Sequence, residues 1–198
     1  MKPRKQPFDY REDDEYKQAL EFAQGFEPQD GVDYAWVSDY GYKDYVHVSE
    51  TTNILDEKAD GVIKYLGAFS GIATIVATYG AMAVDWKVGV CIIPALVLSI
   101  MAISQAAKAR TPMGMPAPPP TNKAIEYAEA YGVAAEAKFA PQIWAASEGM
   151  AAVNDEKSGL VRRSMRLFVW AVVAVTLPLL AALYIGLDPC AAQLTSLR

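Results

Sequence analysis

The feature that constrains this chain most is a run of twenty residues, 65–84, that contains no charged residue and no histidine. At a helical rise of about 1.5 Å per residue, such a run crosses the roughly 30 Å hydrocarbon core of a bilayer. Two further uncharged runs cover residues 88–107 and 167–187. Because only three residues separate the first two runs, they predict a tight antiparallel hairpin of helices. We therefore predict an all-α integral membrane protein with three transmembrane helices, a hairpin plus one.

The charged residues next to these runs predict the orientation of the chain. The Lys and Arg residues that flank one side are Lys58, Lys64, Lys108, Arg110, Arg162, Arg163 and Arg166, whereas Lys87 alone lies close on the other. Cytoplasmic flanks carry an excess of Lys and Arg, so the N-terminus should be cytoplasmic. We expect a multi-pass protein of the cell inner membrane, with residues 188–198 as a short outer tail.

Residues 1–52 form an acidic, tyrosine-rich module that we place in the cytoplasm. The module contains twelve Asp or Glu against six Lys or Arg, which disfavours nucleic acid as a partner. Apolar residues at helical spacing predict a short helix within residues 13–24. β-branched and aromatic residues in 32–37 and 42–48, on either side of an Asp/Gly turn, predict a β-hairpin.

The rest of the chain divides into further segments. Residues 53–110 are a charged stalk followed by the transmembrane hairpin, and residues 111–121 are a Pro-rich linker. Residues 122–166 form cytoplasmic helices that lead to the third predicted span. The five prolines of the linker favour an extended spacer, although such a peptide also suits an aromatic groove.

No combination of residues in the sequence indicates catalysis, a cofactor or a metal ion. The only histidine, His47, has no Cys or second His near it, and no Ser/His/Asp or Cys/His set is recognisable. The predicted spans lack the ionisable residues that carry ions in transporters. We expect a protein that is not an enzyme and has no cofactor. For Cys91 and Cys190, two inert thiols are favoured over a disulfide.

A short pattern recurs before the first and the third run. The residues Asp56, Glu57, Lys58, Val62 and Phe69 recur at a constant offset as Asp155, Glu156, Lys157, Val161 and Phe168. Both copies lie on the cytoplasmic approach to a predicted span, where a carboxylate of one stalk and an ammonium of the other can pair. Structural pairing is favoured over ligand sensing. Lys58 and Lys157 are the residues that would couple the stalks to the spans.

Gly67 and Gly71 give the first run a face of small residues. The two glycines lie one helical turn apart, and another helix backbone can approach such a face closely. Packing against the second helix and self-association explain this face equally well.

The chain resembles small bacterial membrane proteins that have Asp-x-Lys-Ala at the first span and Asn-x-x-Lys before the last one. These include membrane effectors of the Pycsar and CBASS anti-phage systems. The matching residues here are Asp56, Lys58, Ala59, Asn154 and Lys157. The resemblance implies a homo-oligomer that contacts membrane lipid and perturbs the inner membrane when triggered by a cyclic-nucleotide signal or a protein partner. The sequence has no recognisable nucleotide-binding domain.

These observations lead to one expected function and one alternative. We expect a non-enzymatic, oligomeric inner-membrane protein that acts as a signal-triggered, membrane-perturbing anti-phage effector. The alternative is a membrane anchor or accessory subunit of a larger membrane complex.

Overall fold

In the part of the chain that this computed structural model describes, the regular structure consists of five α-helices and two short 3-10 turns. The structure describes residues 8–29, 32–83, 86–111 and 113–195, and it describes the side chains of these residues except at 76–77, 79–83, 86–89, 91, 133, 178–179 and 181–195. The helices are α1 (Asp14–Gly25), α2 (Ala35–Ala83), α3 (Trp86–Arg110), α4 (Thr121–Tyr131) and α5 (Ala135–Thr195), with 3-10 turns at Tyr10–Glu12 and Gly132–Ala134.

Local chemistry explains where several of these helices begin and end. Asp13 caps α1, because its carboxylate accepts hydrogen bonds from two backbone N–H groups of the first turn at 3.0 and 3.2 Å. Asp33 accepts a similar bond from the backbone of Ala35 at 2.9 Å, at the start of α2. Helix α4 ends at Gly132, whose φ of 56° is a left-handed conformation that glycine adopts at little cost.

The predicted β-hairpin is wrong, because the residues assigned to it form the start of α2. Every regular element in the described ranges is helical. Partly buried residues in this stretch include Tyr34, Val37, Gly41, Tyr45 and Val48. They recur every three or four residues, which is the spacing of one helix face rather than of a strand. Gly41, assigned to the turn, lies close to Ile143 of α5, so packing overrides the β propensity of this stretch.

The prediction of three transmembrane helices is also wrong. In the part of the chain that the structure describes, one segment, Ile92–Arg110 of α3, is long and apolar enough to cross a membrane. A run of twenty residues without charge was not a sufficient criterion for the first span. Residues 65–84 are mostly Ala, Gly, Ser and Thr, which gain little free energy on transfer from water to lipid. The predicted outer tail continues α5 as far as Thr195.

Parts of these predictions fall outside the described residues. The predicted loop tip includes residues 84 and 85, and the end of the third predicted run has no described side chains. The side chains of Cys91 and Cys190 also lie outside the description, so the question of a disulfide stays open. The division of the chain into six segments stays a prediction.

The chain forms two compact units, of which unit one is built from the described residues of Met1–Glu57 and Thr111–Gly159. Helix α1 packs on α5 through the buried residues Ala19, Ala23 and Ala145. Beside them, the rings of Phe22 and Trp144 meet edge to face at 5.6 Å. Short alanine side chains therefore let these two helices approach closely.

Unit two is built from the described residues of Lys58–Arg110 and Leu160–Arg198. Its apolar centre consists of Ala73, Ile92, Ala95 and Val175, with Phe69, Leu96 and Ala174 packed around them. The rings of Phe69 and Phe168 meet edge to face at 6.1 Å. The hydroxyl of Ser164 donates to the carbonyl oxygen of Ala102 at 2.7 Å, which ties α5 to α3.

Two glycines of α5 provide a matched test of the packing in unit one. An added Cβ at Gly149 would lie 2.8 Å from Cγ of Pro116 and 2.9 Å from Cδ2 of Tyr16, whereas a Cβ at Gly159 meets no described atom within 4 Å. Overpacking costs about 1–3 kcal/mol, and the gain in helix propensity offsets up to about 1 kcal/mol of it. We expect Gly149→Ala to lower the free energy of unfolding and Gly159→Ala to raise it slightly.

Denaturant unfolding of both variants in detergent, followed by circular dichroism, measures these changes. Equal stability of the two variants would contradict the close packing of Pro116 and Tyr16 against Gly149 of α5.

Candidate functional site

Several of the residues singled out by sequence lie along a line of polar contacts between α2 and α5 in unit one. Nζ of Lys157 donates to Oδ1 of Asp56 at 2.6 Å. Nδ2 of Asn154 donates to the carbonyl oxygen of Val48 at 2.8 Å. We call this line the polar seam, and its members are Asp44, Val48, Thr52, Asp56, Ser147, Asn154 and Lys157.

Two further hydrogen bonds complete the polar seam. Oγ1 of Thr52 donates to Oδ1 of Asn154 at 2.7 Å, and Oγ of Ser147 donates to Oδ2 of Asp44 at 2.6 Å. The paired residues rise in number together on both helices, so α2 and α5 run parallel within unit one. Asp44, Thr52 and Ser147 were not predicted from the sequence.

Burial makes the ion pair of the polar seam different from a surface ion pair. The side chain of Lys157 is 1% exposed, whereas that of Asp56 is 35% exposed. Removing an ammonium from water costs several kcal/mol, and only a close, well-oriented carboxylate recovers that cost. Lys157 can therefore occupy its position only when Asp56 stands opposite, which favours one alignment of α2 against α5.

The spacing of the buried residues on α5 is that of a coiled coil. Ile143, Met150 and Lys157 are buried in unit one, and Ser164 and Ala171 follow at the same seven-residue interval in unit two. A polar residue at a core position of a coiled coil specifies alignment at some cost in stability. On α2 the same interval joins buried Thr52 to Ala59, Leu66 and Ala73, so the heptad spacing is a signal that could have identified Thr52 from sequence.

The other residues predicted from sequence lie elsewhere. Ala59 is buried in unit two, and Lys58 is exposed and takes no part in the polar seam. Gly67 and Gly71 are exposed, and a Cβ added at either meets no described atom within 4 Å. Packing of the glycine face against the second helix is therefore not seen among the described residues. The coupling roles of Lys58 and Lys157 stay predictions.

A second feature of unit one is a groove of about 720 Å³ beside the proline-rich segment 115–120. Four tyrosines line it, namely Tyr10, Tyr16, Tyr127 and Tyr131, together with Lys138 and Gln142. The segment packs on the chain's own residues, since Oη of Tyr45 donates to the carbonyl oxygen of Pro116 at 3.4 Å. We call this feature the tyrosine groove.

The polar groups of the tyrosine groove are held by neighbours. Nε2 of Gln142 donates to Oη of Tyr127 at 2.7 Å, and the ammonium of Lys138 lies 5.7 Å from the ring centre of Tyr131. Burial raises the pKa of the Tyr16 hydroxyl above its ordinary value, and nearby Tyr10 raises it further. The phenol therefore stays neutral at physiological pH and remains a hydrogen-bond donor.

Large apolar side chains are exposed on the surface of unit two. Its buried residues include larger ones such as Leu66 and Ile92, but many are small, namely Ala59, Ala73, Ala95, Ala102, Ala106, Ala109 and Ala171, together with Ser99 and Ser164. Its exposed residues include Ile72, Ile75, Ile93, Ile100, Val169 and Leu177, each at least half exposed. Small residues inside and large apolar residues outside are typical of helices that pack in lipid.

Neither the described side chains nor comparisons with known proteins indicate a further site. In the described ranges, no three His, Cys, Asp or Glu residues are grouped so that they could hold a metal ion. The chain matches no protein-family model, and comparisons with curated proteins and with solved structures gave no significant match. The resemblance to Pycsar and CBASS effectors stays a prediction.

The unequal burial of the seam ion pair leads to an asymmetric prediction. Asp56→Ala leaves a buried ammonium without its carboxylate, so we expect a loss of about 3–5 kcal/mol in the free energy of unfolding. Lys157→Met leaves a carboxylate that water can still reach, so its loss should be smaller. The double variant Asp56→Leu/Lys157→Met should recover most of the stability, because it removes both charges.

A surface pair on the same helix provides the control for this series. Asp39 and Lys43 form an ion pair at 2.5 Å with both side chains more than 60% exposed, so Asp39→Ala should cost less than about 1 kcal/mol. Urea unfolding in detergent measures all four variants. Similar losses for Asp56→Ala and Asp39→Ala would show that the buried pair does not hold the seam together.

Proposed function

We propose that this protein is a non-enzymatic, oligomeric protein of the bacterial inner membrane that acts as a signal-triggered, membrane-perturbing effector. The observation that carries this proposal is the surface of unit two, where large apolar side chains such as Ile93 and Ile100 of the candidate span face outward. Exposure of this surface to water costs roughly 25 cal/mol per Å², and a bilayer removes that cost.

The candidate span supports the same placement. The segment Ile92–Arg110 is 33% buried inside the protein, so most of its residues are free to contact lipid. Lys108 and Arg110 lie in the last turn of α3, which favours a cytoplasmic position for that end. In the proposed orientation, the segment that follows Arg110 lies in the cytoplasm, where a signal or a protein partner can reach it.

Self-association is part of the proposal, and the glycine face supports it. Gly67 and Gly71 of α2 have open space beside them among the described atoms, so a helix of a second copy can approach the backbone there. Contacts among the described residues leave this face free, which favours a second copy over intrachain packing.

The polar seam supports the effector function. Helices α2 and α5 each carry seam residues in unit one and continue without a break into unit two. A signal can act only by binding one arrangement of these helices more tightly than another. A buried ion pair can favour one arrangement of α2 and α5 over another. Any arrangement that separates Lys157 from Asp56 leaves the buried ammonium unpaired, at a large cost in free energy.

The second candidate is a membrane anchor that holds a partner in the cytoplasm. The tyrosine groove favours it, because tyrosines are enriched at protein interfaces and Pro-rich segments are common recognition elements. An anchor does not require two arrangements of α2 and α5.

Cysteine labelling tests the membrane placement. In a background with Cys91→Ala and Cys190→Ala, we expect Ile93→Cys and Ile100→Cys, both in the candidate span, to resist a water-soluble maleimide in inside-out membrane vesicles. Glu50→Cys, an exposed site in unit one, should react readily and serves as the control. Gly67→Cys should give disulfide-linked dimers on oxidation. Reaction of the two isoleucine sites as fast as Glu50→Cys would contradict burial in lipid.

Membrane potential during phage challenge separates the effector from the anchor. Cells that express the protein with its native gene neighbours should depolarise, and Lys157→Glu should abolish the response at equal membrane abundance because it sets two carboxylates against each other. Asp56→Lys/Lys157→Glu restores an opposite-charge pair and should restore depolarisation. Lys43→Glu, at an exposed lysine of α2 outside the polar seam, is the control. Absence of depolarisation in the wild type would favour the anchor.

A further inference from the structure

Unit two combines its apolar surface with a marked excess of positive charge. The described cationic side chains are Lys58, Lys64, Lys108, Arg110, Arg162, Arg163 and Arg166. Among the described side chains of this unit, Asp60 is the acidic residue, and it is paired with Arg110 at 2.9 Å. The remaining cations give this unit a net positive charge among its described side chains, which attracts anions.

Three of these cations lie on α5 immediately before its apolar part. Arg162, Arg163 and Arg166 are exposed, and no described carboxylate lies within ion-pair distance of any of them. Arg162 and Arg166 are one helical turn apart, so their guanidinium groups lie on the same side of the helix. Three unpaired arginines this close repel one another unless an anion lies between them.

A shallow groove of about 340 Å³ connects this charge to the apolar surface. Its lining consists of Arg162, Met165, Arg166, Val169 and Trp170. Trp170 is 63% exposed and Val169 is 59% exposed. Along the helix axis the groove thus changes from cationic to apolar within about 6–12 Å, at a rise of about 1.5 Å per residue.

We propose that this groove binds an anionic phospholipid, an inference that rests on the proposed membrane location. The guanidinium groups of Arg162 and Arg166 hold the phosphate through paired N–H donors, a geometry that suits arginine. Trp170 lies at the headgroup level, where tryptophan is enriched in membrane proteins, and an acyl chain runs along Val169. A nucleic acid fits this groove less well than a phospholipid. Its phosphates can pair with the arginines, but it has no apolar chain to cover the apolar half of the groove.

Quenching of a single tryptophan by brominated lipid tests this site in the full-length protein. The variants Trp36→Phe, Trp86→Phe and Trp144→Phe together leave Trp170 as the only tryptophan of the four. The protein is reconstituted in phosphatidylcholine vesicles that contain an equal fraction of either brominated phosphatidylglycerol or brominated phosphatidylcholine. We expect stronger quenching by the phosphatidylglycerol, with a local enrichment of roughly fivefold per arginine, equivalent to about 1 kcal/mol each.

The arginine variants localise the effect. Arg162→Gln/Arg166→Gln should make the two brominated lipids equally effective, whereas Arg163→Gln, an exposed arginine outside the groove, should keep the preference. Equal quenching in the parent protein, or loss of the preference in Arg163→Gln alone, would overturn the lipid site. Weak quenching by both lipids would mean that Trp170 lies outside the bilayer, so the proposed membrane location would fail as well. Equal but strong quenching leaves that location intact.

Discussion

The structure of unit one depends on an ammonium group that has almost no access to water. Lys157 is the most costly residue to bury in this unit, and a single carboxylate, that of Asp56, stands opposite it at 2.6 Å. Two apolar side chains in their place would hold α2 and α5 together at least as well but in more than one alignment. The pair therefore contributes specificity more than stability, and the amide of Asn154 adds to it by bonding a backbone carbonyl and a threonine hydroxyl at neighbouring positions.

Some of this arrangement could be predicted from sequence, and the reason differs from residue to residue. The repeated Asp-Glu-Lys pattern identified Asp56 and Lys157, because charge placed before an apolar helix has few roles other than pairing. Lys58 carries the same pattern and stays exposed, because helix rotation decides which of three adjacent charges faces inward, and a short motif does not contain that information. The seven-residue spacing of the buried positions does indicate which of these side chains faces inward. The false β-hairpin arose from residue type, whereas the spacing of Gly41, Tyr45 and Val48 already followed a helix.

Unit two shows why counting uncharged residues over-predicts spans. Alanine, glycine and serine are uncharged and also small, and they fill the interior between helices as readily as they face lipid. The distinction lies in where the large side chains are, and that is a property of the packed helices. Ile100 faces outward and Ala102, two residues later, is buried, so one stretch of sequence serves both environments. An exposed apolar surface and a tightly packed interior are thus encoded by one stretch of sequence, on different faces of the same helix.

The seven-residue interval on α5 also limits how the chain can change length during evolution. A deletion of one or two residues between Met150 and Ala171 rotates every later side chain by roughly 100° or more around the helix, so that an alanine of the interior becomes exposed and a large apolar residue turns inward. Whole heptads can be gained or lost without this rotation. Length variants of such a protein are therefore expected to differ in steps of seven, with the two parallel helices changing together.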